Sequence, residues 1–96
     1  MPTHQSSESL QALREHALEE VRGYLFEQRQ IDPELVQLGT DFREDLGLDS
    51  LDLAAIAMQF EDEYDVTLDD ERVLTVKTVG DAINLVIELR GDQALS

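Results

Sequence analysis

Apolar residues recur every three or four positions between residues 10 and 25, which is the spacing of one face of an α-helix. This face consists of Leu10, Leu13, Ala17, Val21, Tyr24 and Leu25. Ser9 directly precedes it and is the predicted N-cap. The helix is predicted to end near Gln30, because Pro33 favours an extended conformation for Asp32. The pattern therefore predicts a first amphipathic helix that is followed by a loop.

Two later stretches have the same helical spacing. The apolar residues after Ser50 fall within roughly 40° of one direction on a helix, and they are Leu53, Ile56, Ala57, Phe60 and Tyr64. The last helix is predicted to open at Thr78, whose spacing to Asp81 is close to that of a capping box. Its apolar face consists of Val79, Ala82, Ile83, Val86 and Leu89. Residues 69–74 predict one short helical turn between these two helices.

A loop is predicted over residues 31–49, where Pro33, Gly39 and Gly47 interrupt any helical pattern. Its apolar residues are expected to anchor it to the core, and they are Ile31, Leu35, Val36, Leu38, Phe42 and Leu46. Loops of this length are uncommon in compact domains unless they have a function. The predicted fold class is all-α, a small bundle of three main helices and one short helix. The domain is expected to span residues 9–90, between flexible tails at 1–8 and 91–96.

The charge balance restricts the partners of the chain. Its 96 residues include 22 acidic and 7 basic ones, which gives a net charge of −15. Twelve carboxylates and one base, Arg43, lie between residues 41 and 71. Such a polyanion repels nucleic acids and anionic membranes, so we expect partners with basic surfaces and a monomeric chain. The sequence has no signal-peptide pattern and no membrane-spanning apolar run, which predicts a cytoplasmic protein.

Neither catalysis nor specific metal binding is indicated. His4 and His16 are predicted to lie in the tail and on the polar side of the first helix, and the chain has no Cys. No base is therefore available to activate a serine, and an enzyme is not expected. An EF-hand that starts at Asp41 fails, because Arg43 occupies its third position and Leu46 its sixth, where Gly is required.

A more specific pattern surrounds Ser50. Residues 42–52 read Phe-Arg-Glu-Asp-Leu-Gly-Leu-Asp-Ser-Leu-Asp, and this segment resembles the signature of acyl carrier proteins along its whole length. The segments 60–65 and 76–79 also resemble the end of the second helix and the start of the last helix of that family. The resemblance covers residues 17–89. It implies that a phosphopantetheinyl transferase attaches 4′-phosphopantetheine from coenzyme A to the Ser50 hydroxyl.

The resemblance further implies that acyl groups are held as thioesters on this arm and are delivered to enzymes of fatty acid, polyketide or related biosynthesis. Asp49 and Leu51 flank the attachment serine and are the other predicted cofactor-binding residues. The N–H groups at the start of the second helix are expected to face the phosphodiester of the arm. Gly47 is expected to allow the tight turn into that helix.

The outward side of the second helix is, by the same resemblance, a docking surface for the transferase and for acyl-loading, condensing and other acyl-processing enzymes. Leu51 and Met58 form its predicted apolar centre, with Ala54 and Ala55 between them. Its acidic rim consists of Asp49, Asp52, Glu61 and Asp62. An apolar centre inside a charged rim suits partners that bind quickly and leave quickly.

Two alanines bear on the cargo and the pathway. Many carriers of fatty acid synthesis have an acidic residue where this chain has Ala55, which favours a dedicated pathway such as specialised acyl or polyketide assembly. Ala57 is predicted to leave room for a short acyl chain between the helices. Two other interpretations stay open at this point. One is an aminoacyl or peptidyl carrier, which more often has Leu-Gly-Gly before the serine pair, and the other is an acidic adaptor without a cofactor.

Overall fold

The computed structural model describes the backbone of residues 2–94 and the side chains of residues 10–90. It contains four α-helices in these residues, α1 (Pro2–Arg29), α2 (Ser50–Tyr64), α3 (Asp70–Leu74) and α4 (Val79–Ala94), and a 3-10 turn at Pro33–Leu35. A single β-bridge pairs Asp41 with Thr78 within the described backbone. The predicted all-α bundle of three main helices and one short helix is therefore confirmed.

The first helix begins earlier than predicted. Ser9 lies inside α1 and is not its N-cap, because the helical backbone begins at Pro2. Residues 3–9 are mostly polar, so they give no apolar periodicity, whereas proline fits readily in a first helical turn. The helix ends at Arg29, as expected, and Gln30 then takes a left-handed conformation with φ of 55°. Both predicted tails lie outside the residues with described side chains, and their flexibility stays a prediction.

The core lies between α1, α2 and α4. The predicted faces supply most of it: Ala17, Val21, Leu25, Leu53, Ile56, Phe60, Tyr64, Val79, Ala82, Ile83 and Val86 are buried. Leu48 and Leu85 are also buried, although the sequence patterns did not include them. Leu10, Leu35 and Leu38 were predicted to pack inward and are exposed, and Leu10 and Leu38 line one open groove at the surface.

Backbone contacts fasten the long loop to the start of α4. The N–H of Phe42 donates to the carbonyl of Lys77 at 3.0 Å, and the N–H of Val79 donates to the carbonyl of Thr40 at 3.0 Å. Thr78 and Asp81 exchange the two hydrogen bonds of the predicted capping box, each at 3.1 Å. The loop that precedes α2 is thus held in a fixed position. None of the helices over residues 2–94 is both long enough and apolar enough to cross a membrane.

Candidate functional site

The segment that leads into α2 is wound around the carboxylate of Asp41. This carboxylate accepts hydrogen bonds from the backbone N–H groups of Glu44 and Arg43, both at 2.8 Å. These bonds, that of Glu44 first, lower the pKa of Asp41, with help from the nearby charge of Lys77. The side chain of Asp45 accepts in turn from the N–H of Asp41 at 2.8 Å. Asp41 and Asp45 therefore stabilise the backbone of this loop.

Two buried side chains and one glycine complete the approach to α2. Phe42 and Leu48 are buried on either side of the turn, and the N–H of Leu48 donates to the carbonyl of Phe42 at 2.9 Å. Gly47 has φ of 69°, the left-handed region that favours glycine. The tight turn that was expected at Gly47 is confirmed, and after the buried Leu48 the chain enters α2 with Asp49, Ser50 and Leu51 exposed.

Asp49 is the N-cap of α2. Its side chain accepts from the N–H of Asp52 at 3.0 Å, and the side chain of Asp52 accepts from the N–H of Asp49 at 3.1 Å, which completes a capping box. The hydrogen bond from Asp52 is the main reason why the pKa of Asp49 is lowered, and a further bond from the N–H of Leu51 acts in the same direction. The cap thus fixes the first turn of the helix.

Ser50 is the first residue of α2, and its side chain is exposed. The guanidinium of Arg43 donates a hydrogen bond to its Oγ at 3.2 Å. Because a guanidinium cannot accept a proton, this contact does not make Ser50 a nucleophile of its own. It places a positive charge beside an accessible hydroxyl.

The capping box changes one expectation about this site. Asp49 already accepts from the N–H of Asp52, so this group is not available to a phosphodiester on Ser50. Arg43 is the cation that contacts the Oγ of Ser50. The sequence analysis gave Arg43 no role, although it is the only base among twelve carboxylates between residues 41 and 71. The position of Arg43 as the lone base of an acidic segment was the sequence signal that would have identified its role.

The outward side of α2 has the apolar centre that was predicted. Leu51 is 80% exposed and Met58 is 64% exposed, and Ala55 is half-buried between them. Leu74 on α3 is a further exposed apolar residue, at 63%, that the sequence analysis did not include. Helix α2 therefore presents two large apolar side chains, Leu51 and Met58, to solvent on the side that begins beside Ser50.

The predicted acidic rim has a mixed character. Asp62 is exposed, whereas the Asp52 side chain takes part in the capping box and also lies 3.4 Å from the guanidinium of Arg29. Glu61 accepts from the N–H of Leu68 at 2.8 Å and so holds the loop after α2. Asp49, Asp52 and Glu61 thus each accept a backbone hydrogen bond that stabilises the fold. Asp62 is the rim carboxylate that is exposed and has no such hydrogen bond among the described residues.

A small cavity lies behind the helix, on the side opposite to the exposed apolar centre. Its volume is about 20 Å³, which is room for about one water molecule. It is lined by Phe42, Leu53, Ile56, Ala57, Phe60, Leu68, Val73, Val76, Ala82 and Leu85. Ala57 is half-buried at the wall of this cavity, where the sequence analysis had assigned it to the fully buried face.

His16, the histidine whose side chain the structure describes, lies far from Ser50. His16 is exposed on α1, as predicted, and contacts Glu63 near the end of α2. Thirteen residues of helix separate Glu63 from Ser50, a rise of about 20 Å. His4 lies outside the residues with described side chains. Within the described part of the chain, no histidine is placed to activate Ser50.

Comparison with known proteins agrees with this geometry. Residues 19–86 match the family model described as a phosphopantetheine attachment site. The chain is 41% identical over 71 residues to an acyl carrier protein of Caulobacter vibrioides, which covers 74% of this chain and 91% of that protein. It is 40% identical over 74 residues to an acyl carrier protein of Phenylobacterium zucineum, with coverage of 77% and 94%.

A solved structure is similar as well. The crystal structure of an acyl carrier protein from Thermotoga maritima superposes with a TM-score of 0.73 at 30% identity, and the match covers 83% of this chain and 93% of that one. Family model, relatives and fold agree over most of the sequence. The chain therefore belongs to the acyl carrier protein family, and its cofactor is covalently attached 4′-phosphopantetheine.

Proposed function

We propose that the 4′-phosphopantetheine arm is attached to the Oγ of Ser50 and that acyl groups travel on it to partner enzymes. The observation that carries the proposal is the exposed Ser50 hydroxyl at the first position of α2, beside the Arg43 guanidinium. In this attachment the hydroxyl oxygen bonds to phosphorus, the serine proton is lost, and the nucleotide part of coenzyme A leaves. The bound arm would supply a thiol for thioester chemistry, and the chain itself has no cysteine to compete with it.

The residues of the chain itself have supporting roles. Asp49 and Asp52 keep the first turn of α2 formed, so the Ser50 oxygen is presented in one place. Arg43 offsets the negative charge of a phosphodiester on that oxygen, in a region where carboxylates otherwise dominate. Leu51 follows Ser50 and is the exposed apolar residue nearest to it in the sequence.

Attachment is tested by intact mass. The full-length chain is incubated with coenzyme A, magnesium and a broad-specificity phosphopantetheinyl transferase. We expect the wild type to gain the mass of one phosphopantetheine and Ser50→Ala to gain none. Ser7→Ala is a matched control, because it removes another serine hydroxyl and leaves Ser50 in place. A gain in Ser50→Ala would move the attachment site, and no gain in any chain would favour a cofactor-free adaptor.

We also propose that enzymes dock on the outward side of α2, with Leu51 and Met58 at the centre of the contact and Asp62 at its rim. Exposure of both apolar side chains supports this, as does the exposed charge of Asp62. Partners with basic surfaces fit the net charge of −15. Met58→Ala is expected to lower kcat/KM for loading by the transferase about tenfold, the effect of losing about 1.4 kcal/mol of contact.

The control for docking is Leu10→Ala, which removes an exposed apolar side chain from α1. Loading of this variant should match the wild type. Asp62→Lys should slow loading most at low salt, because a rim charge acts chiefly on the rate of encounter. Equal loading of Met58→Ala, Asp62→Lys and Leu10→Ala would overturn the docking proposal and would leave attachment at Ser50 untouched.

For the pathway, we propose a specialised acyl or polyketide assembly. The support is Ala55, a half-buried uncharged residue in the middle of α2 where an acidic side chain would present a charge to a basic partner. The test is elongation of the acylated chain by the condensing enzymes of primary fatty acid synthesis. Ala55→Glu should raise the elongation rate severalfold, and Ala12→Glu at an exposed position of α1 should not. Efficient elongation of the wild type would instead assign it to fatty acid synthesis.

A further inference from the structure

A cluster of possible metal ligands joins α1 to the last turn of α2. The Nε2 of His16 lies 3.0 Å from a carboxylate oxygen of Glu63 and 3.4 Å from one of Glu20. His16 and Glu20 are one turn apart on α1, and Glu63 comes from α2. About 20 Å of helix separates this cluster from Ser50, so neither attachment nor docking uses it.

The spacing of the three side chains is suited to one small cation. Each offers one ligand atom, and the three atoms all lie within 4.8 Å of one another. Two ligand atoms on a tetrahedral Zn²⁺ with bonds of about 2.0 Å are about 3.3 Å apart. The distances of 3.0 and 3.4 Å from the His16 nitrogen are already close to this value. Small rotations of the glutamates would therefore close the cluster on an ion.

A buried tyrosine whose ring packs against His16 is a second, independent observation. The side chain of Tyr64 is only 5% exposed, and its hydroxyl has no hydrogen-bond partner among the described protein groups. Its ring meets the His16 ring edge-on, with centroids 5.9 Å apart. Tyr64 therefore packs against His16, and its hydroxyl lacks a polar partner among the described groups.

We propose that His16, Glu20 and Glu63 bind one Zn²⁺ ion, which links α1 to α2, and that a water on the ion hydrogen-bonds to the Tyr64 hydroxyl. Zinc with three protein ligands keeps a water in its fourth position. The imidazole selects against Ca²⁺ and Mg²⁺, which prefer oxygen ligands. The net charge of −15 attracts the cation, although the guanidinium of Arg90 lies 5.8 Å from the centre of the Tyr64 ring.

Calorimetric titration with Zn²⁺ tests the site on the full-length chain, in mildly alkaline buffer where imidazole is neutral. The thiol of the arm is first capped by alkylation, because a thiol is itself a zinc ligand. The chain contains no cysteine, so capping leaves the protein unmodified. We expect one saturable site. His16→Gln and Glu63→Gln should each weaken it by about 100-fold, at the upper end of the loss that follows when a supporting group is removed.

Glu15→Gln is the matched control, since it removes the same charge from α1 without removing a ligand, and its affinity should stay within about twofold of the wild type. Circular dichroism checks that each variant is folded. Tyr64→Phe should weaken binding severalfold, and an unchanged affinity would overturn the role of the water. Absence of saturable binding, or equal losses in His16→Gln and Glu15→Gln, would overturn the site and show only diffuse attraction to an acidic surface.

Discussion

At the scale of single residues, the proposed attachment at Ser50 gives Arg43 a role in offsetting the charge of the phosphodiester. Its guanidinium lies 3.2 Å from the Ser50 oxygen, and the cap occupies the N–H of Asp52 in the first turn of α2. We expect Arg43→Gln to lower the free energy of unfolding more in the holo form than in the apo form, by about 0.5 to 1 kcal/mol, the value of an exposed ion pair. Chemical denaturation of both forms measures this difference. Arg72→Gln, which breaks an ion pair with Glu88, should affect both forms equally.

Gly47 permits a second test at this scale. Its φ of 69° is strained for any residue with a Cβ, although no atom lies within 4 Å of the place where that Cβ would be. Gly47→Ala should therefore lower the free energy of unfolding by about 1 to 2 kcal/mol through backbone strain alone. Gly39→Ala is the matched control, because Gly39 also has open space around it and no positive φ. Equal unfolding midpoints for both variants would contradict this assignment.

The phenol of Tyr64 predicts a dependence of stability on alkaline pH. Its pKa is about 12 in the folded chain against an ordinary value of 10.0, because burial and two carboxylates disfavour the phenolate. The stabilisation is complete below pH 10.0 and is lost as the pH rises through about 12. The unfolding free energy of the wild type should fall relative to that of Tyr64→Phe in this range, since all other titrating groups are common to both chains. If the unfolding free energies of the two chains change with pH in parallel, the raised pKa of Tyr64 is contradicted.

At the scale of elements, the predicted helices were set by local signals. The ends of α2 follow from an acidic cap at Asp49 and from a left-handed Asp65, and the opening of α4 follows from Thr78 and Asp81. These features lie within a few residues of the helix end that they define. Apolar spacing and cap chemistry could therefore predict three of the helical boundaries almost without error.

Contacts between distant segments could not be predicted in this way. Gly80 approaches the loop so closely that an added Cβ would lie 2.9 Å from the carbonyl oxygen of Leu38. The pairing of Asp41 with Thr78 and the contact of His16 with Glu63 also join residues that are far apart in sequence. At the attachment site, the motif indicated Ser50. The contact with Arg43 became visible only when the turn through Gly47 brought the two side chains together.

The cavity between α2 and α3 leads to a prediction about how an acyl chain is sheltered. The cavity beside Ala57 has about 20 Å³, so an acyl chain enters only if the two helices separate. We expect the short helix α3 to move, because it has only five residues and Val73, which lines the cavity from α3, is only partly buried. The terminal methyl of a loaded hexanoyl group should then have chemical shifts that differ from those of free hexanoyl-pantetheine. Ala57→Leu should restore the free values by filling the space.

The matched control for this prediction is Ala54→Leu, which enlarges an exposed residue of the same helix without facing the cavity. Its loaded acyl group should keep the shifted resonances. Free-like shifts in the wild-type chain would show that the acyl group stays in solvent. Shifted resonances in Ala57→Leu would place the sheltered group somewhere other than this cavity.

At the scale of the whole molecule, repulsion among carboxylates opposes compaction. If all 7 bases were paired with acids, 15 of the 22 carboxylates would still be unpaired. Added salt weakens the described ion pairs, such as Arg22 with Glu19, but it also screens this repulsion. Exposed pairs contribute little individually, so relief of repulsion is the larger effect. The chain should therefore become more stable as salt is added, which is the reverse of what its ion pairs alone would give.

This prediction is measured by denaturant unfolding at two ionic strengths. Raising the salt from about 0.01 M to about 0.1 M shortens the screening length from about 30 Å to about 10 Å, and we expect the free energy of unfolding to rise by about 1 kcal/mol. Asp62→Asn should gain stability at low salt and show a smaller rise, because the last turn of α2 has no basic residue to offset its acidic ones. A fall with added salt would mean that ion pairs outweigh the unpaired carboxylates.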